Sequence, residues 1–283
     1  MIVNVTRRAW YFAARDRLAT VGCEDAGFDA QCLLEDLGGL TRGHAPDETV
    51  LTAPQLARLD AALSERADGR PLQYILGEWD FLSLTLAVGE GVLIPRTDTE
   101  CLCEQAARRL AHLPRAHVLD LCAGSGCVGL GVASLCPDVQ VTAVEVSDAA
   151  LMYLEKNVAR YPSYAVTVRK ADVLTDYDAF DSGWDAILSN PPYIPRADLD
   201  TLMREVQREP RLALDGDEDG LLFYRTIAAH WCRKLRRGGF CAVEVGIGQA
   251  AAVADLFAAA GLTEIAVNRD LGGVERVVVG VKK

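Results

Sequence analysis

From about residue 92 to the end of this 283-residue chain, strand-like and helix-like segments alternate without a break. Apolar runs suited to strands occupy residues 117–121, 139–144, 165–169, 184–188, 240–245 and 274–281, and helical patterns occupy 128–135, 149–160, 221–235 and 250–260. Such alternation predicts an α/β domain with a mostly parallel, doubly wound sheet covered by helices on both faces. Gly272-Gly273 ahead of residues 277–281 predicts a closing hairpin that makes the last strand antiparallel. The earlier part of the chain reads differently. Apolar residues recur at helical spacing in 9–18, 29–37 and 53–66, and Thr52-Ala53-Pro54 has the form of a helix start with proline in the first turn. We expect a small helical bundle over 1–76, closed by the turn at Pro71. A β-hairpin linker is expected over 77–91, where residues 78–88 alternate apolar and polar, and the α/β domain then occupies 92–283.

Charge and composition narrow the class. The formal net charge is −11 and 50% of the residues are hydrophobic. A grip on nucleic acid draws most of its affinity from neutralising phosphates, so an acidic chain argues against direct nucleic-acid binding. The basic run Arg233, Lys234, Arg236 and Arg237 reads as the solvated end of a helix. No apolar stretch approaches the roughly 18 residues that cross a bilayer, and the N-terminus lacks a secretory pattern, so a cytoplasmic protein is expected. Nine scattered cysteines and four histidines show no metal-ligand spacing; the cysteines read as small apolar residues of a reducing compartment.

Two places carry chemistry. The run 118–121 leads into Cys122-Ala123-Gly124-Ser125-Gly126, a loop at the carboxyl end of the first strand where open α/β sheets bind ligands. Gly124 and Gly126 permit a tight turn and close approach to the backbone, although an ordinary strand–helix turn would look the same. Glu145 ends the next strand, 19 residues after Gly126, where a carboxylate can accept from both ribose hydroxyls or cap the turn at Ser147-Asp148. Gly129 completes dinucleotide spacing, so spacing alone leaves NAD open. After the third strand, Asp172 can accept from an adenine amino group or cap a helix.

The fourth strand ends in Ser189-Asn190-Pro191-Pro192-Tyr193. Two prolines stiffen the backbone, remove two N–H groups and leave carbonyls free. The Asn190 side chain adds another acceptor, and Tyr193 can stack on a flat group. Two converging acceptors suit a planar NH₂ group, and hydride transfer has no use for them. The substrate stays open between a base and an amide at this point; the structural alternative is a proline pair that stops a strand.

These residues resemble the protein-(glutamine-N5) methyltransferases that modify peptide chain release factors. The likeness spans nearly the whole chain. It includes Gly77-Glu-Trp-Asp-Phe-Leu, Val92-Leu-Ile-Pro-Arg-Thr-Asp-Thr-Glu100, residues 120–126, Ser189-Asn-Pro-Pro-Tyr-Ile194, Glu209-Pro-Arg-Leu-Ala-Leu-Asp-Gly216, residues 238–246 and Asp270-Leu-Gly-Gly-Val-Glu-Arg-Val277. The resemblance implies a seven-stranded Rossmann-like methyltransferase sheet and S-adenosylmethionine as methyl donor, released as S-adenosylhomocysteine. It also implies the glutamine of a release factor's Gly-Gly-Gln motif as acceptor. The expected cofactor contacts are Cys122, Ala123, Gly124, Ser125, Gly126, Glu145, Asp172, Val173 and Asn190. The expected glutamine-holding and catalytic group is Asn190, Pro191, Pro192 and Tyr193, with the N-terminal helices recognising the release factor. Thr97 and Glu100 have capping-box spacing and are expected to open a helix over the cofactor.

The chain departs from the family at several positions. Cys122 and Ala123 replace a usual Gly-Thr, Glu145 replaces a usual aspartate, Thr97 a usual proline, and Val173 an aromatic. The competing functions are methylation of a ribosomal-protein glutamine, adenine-N6 methylation of DNA or RNA, and a binding module without catalysis. Retention of Asn190 and both loop glycines speaks against the last, and the acidic charge against the nucleic-acid enzyme.

Overall fold

The computed structural model describes residues 4–40 and 46–283. Two compact units are formed, Met1–Gly77 with Arg204–Arg208, and Glu78–Met203 with Glu209–Lys283. In the first unit the helices are α1 (Arg7–Thr20), α2 (Ala26–Cys32, continued by a π-turn Leu33–Leu37), α3 (Ala53–Ala67) and the short α4 (Leu72–Leu76). The expected start of α3 is present as a capping box: the Thr52 side chain accepts from the Gln55 N–H while Gln55 returns a bond to the Thr52 N–H. Pro71, expected to close the bundle, instead precedes α4 as its N-cap, because proline is well tolerated where a first-turn N–H needs no partner. Leu18, Leu33, Leu34 and Leu59 are fully buried, and Trp10 donates from Nε1 to Asp60 at 2.9 Å.

A charge lies inside this small core. Arg66 and Asp29 pair at 2.6 Å with both side chains only 7% exposed, and Arg66 also reaches Glu205 at 3.1 Å. Removing one partner of such a pair strands the other in a low-dielectric interior. Arg66→Leu is therefore expected to lower the unfolding free energy by about 3 kcal/mol. Asp29→Leu/Arg66→Leu should recover most of that loss in urea unfolding; a double variant as unstable as the single one would contradict the pairing argument.

The second unit opens with an antiparallel hairpin, β1 (Glu78–Phe81) and β2 (Leu84–Ala87), in register Glu78↔Ala87 to Phe81↔Leu84. The hairpin is present, but it is not a linker. Phe81, Leu84 and Leu86 are buried in one cluster with Leu102, Val118 and Leu130. Asn157 bonds both backbone groups of Ala87, accepting its N–H at 2.7 Å and donating to its carbonyl at 3.0 Å. Burying three large side chains of so short a hairpin fastens it to the sheet domain.

The sheet contains β3 (His117–Leu121), β4 (Gln140–Glu145), β5 (Ala165–Lys170), β6 (Trp184–Ser189), β7 (Leu235–Glu244), β8 (Leu262–Arg269) and β9 (Glu275–Lys282). Their order is β5-β4-β3-β6-β7-β9-β8. The first five strands in that order are parallel, and β9 pairs antiparallel with both β7 and β8. Alternate strand residues face opposite layers. Leu119, Ile187 and Val243 join one core with Phe223, Tyr224 and Trp231, while Val118, Leu188 and Ala242 join the other with Leu102 and Val128. The covering helices are α5 (Thr97–Leu110), α6 (Cys127–Leu135), α7 (Asp148–Arg160), α8 (Leu222–Ala229) and α9 (Ala250–Ala259).

The doubly wound expectation is met, and so is the antiparallel last strand. The helix expected over 221–235 is shorter: α8 ends at Ala229, a 3₁₀ turn Trp231–Lys234 follows, and β7 starts at Leu235. The fully buried Trp231 explains the break, since its Nε1 donates to the Val173 carbonyl at 2.9 Å and holds the turn against the sheet. Among the described residues, no helix is long and apolar enough to cross a membrane.

Candidate active site

Strand β3 has β4 on one side and β6 on the other, so the chain reverses its direction of sheet growth at this pair. The crevice outside the carboxyl ends of strands at such a switch point is where open α/β sheets bind ligands. A cavity of about 200 Å³ lies there. It is bordered by Cys122, Ala123, Gly124 and Ser125 after β3, by Glu145 at the end of β4, by Asp172 and Val173 after β5, and by Asn190 and Pro192 after β6. Gly126, Pro191 and Tyr193 do not border it.

The loop after β3 turns through three left-handed residues, Cys122 (φ +59°), Gly124 (φ +56°) and Gly126 (φ +84°). Glycine takes this conformation without penalty, whereas a side chain costs about 1–2 kcal/mol. Cys122 thus adopts the turn that glycine would permit, despite the loss of a flexible position. Cys122 borders the cavity, and burial, aided by Glu145, pushes the pKa of its thiol well up and keeps it protonated. Gly126 sits behind the loop: a Cβ there would meet Leu154 at 2.6 Å. At Gly129 a Cβ would lie 3.0 Å from Asp120 and from Val141, so the third glycine seats α6 closely on the sheet.

Glu145 takes the capping role expected of it and stays at the cavity wall. Its Oε2 accepts from the Gly124 N–H at 2.8 Å, its Oε1 accepts from Val146 and Ser147, and the residue still borders the cavity. Asp172 accepts the Leu174 N–H at 2.8 Å and so stiffens its own turn at the cavity wall. Asp120 lies beneath the loop, fully buried. One of its oxygens accepts from Gly129 at 2.9 Å and the other has no partner among the described residues. Burial pushes its pKa up to about 7, against the Gly129 hydrogen bond and with help from Glu145.

The wall on the tetrapeptide side comes from distant parts of the chain. Asn190 donates from Nδ2 to the Thr99 hydroxyl oxygen at 3.1 Å. Glu209 is deeply buried; it accepts the Ile94 N–H at 2.9 Å and pairs with Arg96, which fixes residues 94–96 along the cavity. The structure does not aim Tyr193 at the cavity as a stacking platform. Its ring packs on the core beside Gly246, its carbonyl accepts from Gln249 at 2.9 Å, and burial pushes its pKa up to about 12. Gly216 and Gly220 lie close against the Tyr193 backbone, where a Cβ on Gly220 would meet the carbonyl at 2.3 Å.

The capping box expected at Thr97 and Glu100 is absent. Arg96 holds the N-cap position, and Glu100 accepts from the Leu82 N–H at 2.8 Å, tying α5 to the hairpin. Thr99, Glu209, Phe223 and Glu244 were not anticipated as site groups. Thr99, Glu209 and Glu244 lie inside the motifs that carry the family resemblance, and that location was the available signal. Phe223 borders the cavity from a helix with no site motif of its own.

Residues 9–77 match the family described as PrmC N-terminal domain and residues 99–216 the one described as Methyltransferase small domain. The catalytic domain of hMettl16, solved in complex with MAT2A 3′UTR hairpin 6, shares the fold: the TM-score is 0.59 at 15% identity, covering 88% of this chain and 90% of that one. Sheet order, strand-end cavity and domain match together define a Rossmann-like methyltransferase. The chain is 40% identical over 269 residues to the release factor glutamine methyltransferase of Geobacter sulfurreducens, covering 94% of this chain and 93% of that one. It is 38% identical over 280 residues to that of Caulobacter vibrioides, covering 97% and 96%. The chain belongs to the release factor glutamine methyltransferase family.

The buried Asp120 makes a prediction about pH. In the unfolded chain this carboxyl loses its proton near 3.8, but in the folded chain it keeps it to about 7. The folded state therefore binds the extra proton across that window, and the group's contribution to stability is lost as pH rises through it. Asp120→Asn cannot ionise and can still accept from Gly129. Its stability relative to wild type should be near parity at pH 4, rise up to about pH 7 and level off above it in urea unfolding. An offset independent of pH would show that Asp120 does not titrate in this range.

Proposed function

We propose that this protein transfers a methyl group from S-adenosylmethionine to the side-chain amide nitrogen of the glutamine in the Gly-Gly-Gln motif of peptide chain release factors. The observation that carries this is the sharing of one cavity by two groups of residues. The turn after β3 and the carboxylate of Glu145 border the same space as Asn190. The left-handed turn at Cys122 and Gly124 suits close approach of a methionine moiety. Glu145 supplies the acceptor for ribose hydroxyls, and Ala171, Val173 and Phe223 offer an apolar wall for adenine. The residues present thus fit the donor, despite Val173 standing where the family has an aromatic.

S-adenosylmethionine supplies a methyl on a sulfonium, already an activated leaving group, and departs as S-adenosylhomocysteine. The protein's task is the nitrogen. An amide lone pair is delocalised and weakly nucleophilic, so orientation is the main catalytic term. The Asn190 side-chain oxygen, at the cavity wall, accepts an amide hydrogen and orients the nitrogen for attack, on a backbone that Pro191 and Pro192 stiffen. Tyr193 acts from behind, as a buried support for the tetrapeptide. Cys122, held as a protonated thiol, does not compete as a nucleophile. The helical unit containing α1–α4 is assigned to recognition of the release factor.

The direct test incubates the full chain with labelled S-adenosylmethionine and either a purified release factor or its variant lacking the Gly-Gly-Gln glutamine. Label is expected in the first and not in the second; label in both, or in neither, would refute the assignment. Asn190→Ala should keep cofactor affinity within about threefold by calorimetry while turnover falls at least a hundredfold, about 2.7 kcal/mol of transition-state stabilisation. Unchanged turnover would remove Asn190 from the chemistry.

A further inference from the structure

An asparagine that must accept from a substrate has two ways to sit, and only one is useful. Turned over, it would present NH₂ to the substrate's NH₂. Its orientation is therefore a functional property, and the surrounding hydrogen bonds decide it. Asn190 Nδ2 lies 3.1 Å from Thr99 Oγ1, in the first turn of α5, and Thr99 is only 1% exposed. The Thr99 side chain in turn hydrogen-bonds the carboxylate of Glu244, the last residue of β7, which is also 1% exposed. The nearby Arg276 is itself bound to Asp98 at 2.9 Å and Asp270 at 3.1 Å, and the Glu244 Oε2 has no hydrogen-bond partner among the described residues.

The direction of the chain of bonds follows from the donor inventory. The Asn190 NH₂ can only donate, so the Thr99 oxygen accepts from it, and once Glu244 is ionised the single Thr99 hydroxyl proton points to that carboxylate. The Thr99 oxygen is then left with lone pairs alone, and only the NH₂ end of Asn190 can meet it. We propose that Thr99, backed by Glu244, is a positioning pair that locks the Asn190 amide with its oxygen toward the cavity, making Asn190 an acceptor for the substrate NH₂. This inference rests on the amide-nitrogen substrate proposed above. It assigns the orienting function to α5 and β7, elements that supply no group to the tetrapeptide itself.

The experiment measures kcat on a release factor and the affinity for S-adenosylmethionine in wild type, Thr99→Val and Thr99→Ser. Valine keeps the shape and loses the hydroxyl; serine keeps the hydroxyl. Thr99→Val is expected to lose at least tenfold in kcat with cofactor Kd within threefold of wild type, and Thr99→Ser to return within threefold of wild-type kcat. The role is overturned if Thr99→Val retains kcat within threefold, if its cofactor Kd rises in proportion to the loss, or if Thr99→Ser is as impaired as Thr99→Val. Should Thr99→Val fail to fold, Thr99→Ala/Glu244→Gln, which removes the buried charge with the hydroxyl, carries the same comparison and the same limits. A wild type that leaves the glutamine unlabelled overturns the substrate and this role together; a labelling wild type with an unaffected Thr99→Val overturns the positioning role alone.

Discussion

Parallel pairing of β3 with β4 on one side and β6 on the other is the interaction from which the site follows. Parallel strands cannot be joined by tight turns, so each return passes through a crossover, and all carboxyl ends lie along one edge. The loops after β3, β4, β5 and β6 therefore meet in one place, and the splitting of the chain to either side of β3 opens a crevice between them. The glycine turn after β3 and Asn190 after β6 reach the same cavity for this reason, although 66 positions separate Gly124 from Asn190.

The edge so formed carries buried acids. Asp120 lies beneath the turn, Glu145 beside it, and Glu244 under Asn190. Burial of carboxylates costs free energy, and it raises both Asp120 and Glu244 to about 7. Each group is nevertheless tied to a functional element: Asp120 to α6 through Gly129, Glu145 to the turn through Gly124, and Glu244 to Asn190 through Thr99. Preorganisation of this kind spends stability to hold polar groups in one geometry. Glu209 follows the same logic, one buried carboxylate holding residues 94–96 along the cavity.

Much of the fold was legible in the sequence because its signals are local. Periodicity set the positions of β3 to β6 and of α6 and α7 to within about a residue or two. Paired glycines marked the closing hairpin, and Thr52 with Pro54 marked the start of α3. The errors arose where a distant contact overrode a local pattern. Trp231 broke a helix to reach Val173, Glu100 left its capping position to bind Leu82, and a hairpin that looked like a linker was buried by its own Phe81 and Leu86.

The same division runs through the site. By itself the sequence determined the chemistry on offer: a turn that admits a ligand at Gly124, an acid at the end of the second strand, and stiff acceptors at Asn190 and Pro191 after the fourth. These are properties of residue type and spacing, which the chain carries whatever its partners in space. The tertiary structure decided how each group points. It turned Tyr193 inward against Gly246, supplied Phe223 from α8, and brought Thr99 and Glu244 to the Asn190 amide. Orientation depends on which donors and which bulk surround a side chain, and in this protein those neighbours lie tens of residues away along the chain.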